Sequence, residues 1–145
     1  MKYFILILLF VPMIMANKCQ PSKNKNKSDK NIAAKLTVVD KSFDALNALK
    51  DYEVKEATIS DSLLTVKIKY KGCEDDDFNL VFDGNYFKSF PPKATLFLVR
   101  KSVNQNCDKA MEKELSFILT PVKYLNGKTL IVSLPKFETK LLYNY

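Results

Sequence analysis

The chain has 145 residues, 23 Lys and Arg against 16 Asp and Glu, 47% hydrophobic residues, and no histidine or tryptophan. That length suffices for one domain with a sizeable core. Without histidine the Ser-His-Asp and Cys-His arrangements cannot form, and the usual general base near neutral pH is missing. The formal charge of +7 is carried by lysine, since Arg100 is the only arginine. Readers of phosphate and base edges rely on arginine, so nucleic acid is not expected as a partner.

Lys2 and the uncharged apolar run from Tyr3 to Met15, followed by the small residue Ala16, have the form of an export signal covering residues 1–16. The run is too short for a spanning helix and contains Pro12. Residues 17–33 form a polar, lysine-rich tether. Cys19 lies at its start, where a lipidated cysteine would stand, but Lys18 occupies the position that lipoprotein signals fill with a small residue. Simple secretion or periplasmic release is therefore the first expectation, and an outer-membrane lipoprotein anchored at Cys19 the second. In that compartment Cys73 and Cys107 are the natural disulfide pair, leaving Cys19 lipidated, free or intermolecular.

Residues 34–145 read as an all-β domain, an antiparallel sandwich, Ig-like or an open barrel, of seven or eight strands. Strands are expected over 35–39 and 52–59. Between them Ser42, followed by Phe43, Leu46 and Leu49, suggests one short capped helix. Leu64, Val66, Ile68 and Tyr70 alternate with Thr65, Lys67, Lys69 and Lys71, the pattern of a half-buried strand. Phe78, Leu80 and Phe82 repeat it, residues 94–99 are apolar on both faces as a central strand would be, and Leu115, Phe117 and Leu119 make another inward row. Asn126-Gly127 signals a hairpin turn between 115–120 and 128–134, and alternation from Phe137 to Tyr145 predicts a last strand.

Two segments carry candidate site chemistry. Gly72-Cys73 is followed by Glu74, Asp75, Asp76 and Asp77. On a strand, alternate acids share a face, so Asp75 and Asp77, with Glu74, could form a weak cation or ligand loop, Ca²⁺ being the ion that oxygen donors suit. EF-hand spacing fails, because Leu80 stands where glycine is required. The plainer expectation is a solvated turn that keeps a strand edge from pairing. No other cofactor is indicated. The second segment, residues 85–92, holds Tyr86, Phe87 and Phe90 ahead of Pro91-Pro92. Exposed, it would be a recognition loop; burial of most of it between the sheets is favoured, with a cis Phe90-Pro91 bond as a further option.

The stretches 72–82, 90–99, Cys107 and 115–121 resemble small uncharacterised exported proteins and lipoproteins of the Bacteroidetes with a NigD-like C-terminal β-sandwich. The resemblance covers residues 64–145 and rests on a Gly-Cys-x-x-His-x-Phe type of segment, in which Asp76 here replaces the histidine. It implies fold and export more than activity. The expected function is an exported, non-catalytic binding or envelope-associated module, its partner a protein, glycan or envelope component. The alternative is a secreted enzyme that uses carboxylates.

Overall fold

A computed structural model of the chain describes residues 33–48, 51–101 and 107–145. The expected signal over 1–16, Cys19, and the tether up to residue 32 lie outside these residues. Among the described residues nine strands run β1 Lys35–Leu36, β2 Val38–Val39, β3 Tyr52–Ser60, β4 Leu63–Gly72, β5 Asp77–Phe87, β6 Lys93–Lys101, β7 Lys109–Ile118, β8 Thr129–Ser133 and β9 Leu141–Asn144. They form two sheets, ordered β1-β7-β4-β3 and β2-β5-β6-β8-β9. The all-β sandwich expected from the alternating patterns is thus the fold.

The inward rows are those the alternation marks. Leu64, Val66, Ile68 and Tyr70 of β4 and Leu115 and Phe117 of β7 point inward from one sheet. Phe78, Leu80 and Phe82 of β5 and Ala94, Leu96 and Leu98 of β6 meet them from the other, all buried. Burying each such aliphatic or aromatic side chain contributes about 1.5–3 kcal/mol. The central position of β6 explains its second apolar face: Phe97 points outward and is packed by Phe43, ring centroids 5.4 Å apart.

Several local expectations are corrected. Residues 35–39 are not one strand: β1 pairs with β7 and β2 with β5, so the chain changes sheets at buried Thr37, whose amide donates to the Ile118 carbonyl at 3.1 Å. Within the described residues the expected helix is only a 3-10 turn, Ala45–Asn47, capped by Asp44 instead of Ser42, and Leu49 lies outside them. Ser42 is occupied with Asp40, whose carboxylate accepts from both its amide and its hydroxyl.

Asn126-Gly127 does turn the chain, the Gly127 amide reaching the Tyr124 carbonyl at 3.2 Å, but it closes no hairpin: β7 pairs with β4 and β1, whereas β8 pairs with β6 and β9. Pro121 cannot extend the ladder of β7, and buried Val122 anchors the crossing in the core. The last strand is also shorter than expected, with Leu141 and Tyr143 facing inward.

Pairing is mixed, with β1–β7, β2–β5 and β6–β8 parallel. Parallel neighbours need a crossover connection, usually a helix. Here the chain between β6 and β8 crosses through the opposite sheet as β7, so a strand takes the helix's place.

Candidate functional site

β5 runs from the acidic turn at Asp77 to the aromatic segment at Phe87, about 30 Å at the rise of a strand, and so joins both candidate regions.

At its start the four acids do not converge. Glu74 and Asp75 are exposed. Asp77 is ion-paired and hydrogen-bonded to Lys35 and also accepts from the Phe78 amide at 2.9 Å. The hydrogen bond from Lys35, followed by its charge, lowers the Asp77 pKa below the ordinary carboxylate value. Asp76 is buried at 1% exposure. It was not among the expected site residues. Its carboxylate accepts from the Cys73 amide at 2.9 Å and lies 3.5 Å from Arg100 Nε, its own amide donates to the Cys73 carbonyl at 3.3 Å, and its carbonyl accepts from Lys113.

Arg100 also donates to the Lys71 carbonyl and stacks over Tyr70, 5.1 Å from the ring centroid. Gly72 makes this compactness feasible, because a Cβ there would fall on the Asp76 carboxylate and 2.9 Å from the Tyr70 ring. Cys73 is joined to Cys107, with Cα atoms 5.1 Å apart. Among the described residues no three His, Cys, Asp or Glu side chains gather as a metal site. Turn, disulfide, Asp76 and Arg100 form a structural knot, although Arg100 Nε is buried without a hydrogen-bond partner.

The other end differs. The pairing of β5 with β6 slips between Phe82 and Tyr86, at Gly84, whose φ of 82° favours glycine. Beyond the slip Tyr86 turns inward while Phe87 is 58% and Phe90 102% exposed, so the expectation that most of this segment is buried is corrected. The Phe90-Pro91 bond is cis. Together with the turn between β7 and β8, the segment encloses a cleft of about 920 Å³ whose walls are residues 84–92 on one side and Tyr124 and 126–129 on the other.

An aromatic series leads from the core into the cleft. Phe82 meets Tyr86 edge-on at 5.0 Å, and Tyr86 meets Tyr124 edge-on at 5.0 Å. The Tyr86 hydroxyl donates to the carbonyls of Val122 and Lys123, both at 3.2 Å, tying one wall to the other. Burial first, then Tyr145 and Tyr124, raises its pKa, so the phenol stays a neutral donor. Tyr145 braces the second wall: its hydroxyl donates to the Tyr124 carbonyl at 3.0 Å and accepts from the Tyr124 amide at 2.7 Å.

Lys88 and Lys128 line the cleft and are exposed, and Lys93 lies 5.7 Å over the Phe87 ring. Among the described residues no acidic side chain lines it. Among the described residues, none of these three lysines is paired with a carboxylate. The structure therefore brings Tyr86, Phe87 and Phe90 to one cleft, and adds Tyr124, Asn126 and Lys128, of which the sequence marks Asn126 only as a turn residue and Lys128 only as the start of a strand. The remaining expected residues, Glu74, Asp75, Asp77, Cys73 and Cys107, belong to the other end of β5.

No family model matches the chain, and none of the curated proteins matches it. Among solved structures, the fold is similar to that of a protein of unknown function, DUF1344, from Bacteroides vulgatus ATCC 8482, with a TM-score of 0.51 at 15% identity over 77% of this chain. This chain spans 57% of the length of that protein. The likeness is one of fold, shared with an uncharacterised Bacteroides protein.

Proposed function

We propose that this protein is an exported, non-catalytic binding module, and that it holds its ligand in the cleft between the two loops at the end of β5. The observation that carries the reading is the concentration there of exposed aromatic surface, Phe87 and Phe90, beside lysines that have no carboxylate partner among the described residues, on walls held by the Tyr86 and Tyr145 hydrogen bonds. Large exposed apolar side chains grouped beside a preformed concavity are the usual mark of a binding site. Secretion or the cell envelope is the matching compartment, because a Cys73–Cys107 bridge persists where thiols are oxidised.

A ligand screen read by calorimetry, with the purified protein and each hit incubated to follow consumption, tests this. Saturable binding without turnover, weakened by filling the cleft through Ser89→Trp, is the expected outcome. Turnover of a bound compound that disappears on replacing one Asp or Glu would overturn it in favour of a carboxylate-dependent enzyme. Binding untouched by changes in the cleft would relocate the site.

A further inference from the structure

The lining of the cleft narrows the ligand class. Among the described residues its walls supply aromatic rings, side-chain amides and cations, and no anion. An anion entering it meets Lys88 and Lys128 without first displacing a protein carboxylate from either. Phe87 and Phe90 present ring surface to solvent, and the negative faces of aromatic rings accept polarised C–H groups as well as cations. A pyranose ring offers just such a C–H face together with an edge of hydroxyls, which the amide of Asn126 suits. A bilayer is flat, whereas this surface is concave, with a volume inside the range of about 300–1,000 Å³ typical of small-ligand sites.

We infer that the cleft binds an acidic oligosaccharide, with sugar faces on Phe87 and Phe90 and uronate carboxylates on Lys88 and Lys128. The inference rests on the cleft being the binding site, as proposed above. Lysine, a compact point charge, suits carboxylates presented at variable angles along a flexible chain, where the rigid fork of arginine would demand one geometry.

Calorimetric titration of the purified protein with tetragalacturonate, its fully methyl-esterified counterpart and maltotetraose tests this. Expected is saturable binding of the acid, weakened by added salt, with no binding of the neutral ester or of maltotetraose. Lys88→Gln and Lys128→Gln should each weaken it about tenfold, and Lys88→Arg and Lys128→Arg, which keep the charge but not the adaptable geometry, should weaken it less than that. Phe87→Ala with Phe90→Ala should also cost about tenfold, with thermal melts matching the parent.

Equal affinity for acid and ester, still lost with the two phenylalanines, would overturn the acidic class while leaving the cleft as the site. Sedimentation with phosphatidylglycerol vesicles, released by Phe90→Ala and Leu125→Ala while no sugar binds, would overturn it in favour of a membrane surface. Tighter binding of an oligothymidylate would overturn it in favour of single-stranded nucleic acid. Sugar binding indifferent to every one of these substitutions would overturn both the inference and the cleft reading, and no binding of any probe would overturn the inference itself.

Discussion

The two ends of β5 are built from similar stock, aromatic rings and charged side chains, and put it to opposite uses. At the Asp77 end the rings of Tyr70 and Phe78 are buried, and the charges are consumed internally: Arg100 by Asp76, Tyr70 and the Lys71 carbonyl, Lys113 by backbone carbonyls, Lys35 by Asp77. At the Phe87 end the tyrosines are likewise satisfied, but Phe87, Phe90, Lys88 and Lys128 face solvent. A buried charge is tolerated only when paired and hydrogen-bonded. Exposed rings and lysines bring no such stability and are available for a partner. The contrast teaches that a conspicuous acidic run is a poor guide to a site when two of its four members, Asp76 and Asp77, already have partners and the other two do not converge.

The contrast is most directly broken at the disulfide. Closing a loop of sequence separation 34 stabilises a domain by about 4 kcal/mol in the chain-entropy model. Replacing both Cys73 and Cys107 by Ser should lower the Tm by roughly 15 °C, with reductant doing the same to the parent protein. A melt unchanged by either treatment would show that the knot does not depend on the bridge. Next in size is Asp76→Ala, which strands the Cys73 amide and the Arg100 charge and should cost about 3 kcal/mol in chemical denaturation. Asp76→Asn, which keeps an acceptor for the amide, should cost less. Gly72→Ala should destabilise comparably to Asp76→Ala, because its Cβ meets the same carboxylate. None of these three changes should touch ligand binding at the far end.

Most of the sandwich was legible, because period-two alternation reports which residues face a core. Leu64 to Tyr70 and Phe78 to Phe82 fall where that rule puts them. Strand partnership was less so. Nothing local in Lys35 to Val39 says that the chain changes sheets at Thr37, and nothing local in Asn126-Gly127 says that its flanking strands pair elsewhere; both depend on long-range competition for partners. The acidic run misled for a similar reason. Four adjacent carboxylates look equivalent in sequence, and only the approach of Arg100, 24 positions after Asp76 in the chain, singles out the buried one. Tyr86, Phe87 and Phe90 were visible as an aromatic cluster, but the slip at Gly84 that turns Phe87 outward depends on the pairing of β5 with β6, and the second wall at Tyr124 and Lys128 is brought near only by the crossing between sheets.

Alkali supplies a smaller and more local comparison. Tyr52 is buried near the disulfide end and donates to the Pro135 carbonyl at 3.0 Å, and burial pushes its pKa up to about 12. An unfolded tyrosine ionises near pH 10, so between about pH 10 and 12 the folded state holds a proton that the unfolded state has released. The stabilisation from Tyr52 is therefore complete below about pH 10 and is lost as the pH rises toward about 12, a decline on the order of 2 kcal/mol. Urea midpoints across that window should fall more steeply for the parent than for Tyr52→Phe. Parallel slopes would show that Tyr52 ionises as readily folded as unfolded.

The smallest expected effect on stability is the sharpest test of how the two ends differ. Phe78 and Phe90 are the same residue type, 0% and 102% exposed. Truncating a buried phenylalanine costs about 3–5 kcal/mol, so Phe78→Ala should come close to unfolding the domain. Phe90→Ala removes no buried surface and should leave stability within about 0.5 kcal/mol of the parent. Phe87→Ala should lie slightly above it, since Lys93 covers one face of that ring. Paired urea titrations decide the matter. If Phe90→Ala cost as much as a core substitution, the ring would be packing against the protein and not presented to solvent, and the cleft would lose the feature that distinguishes it from the knot at the other end of β5.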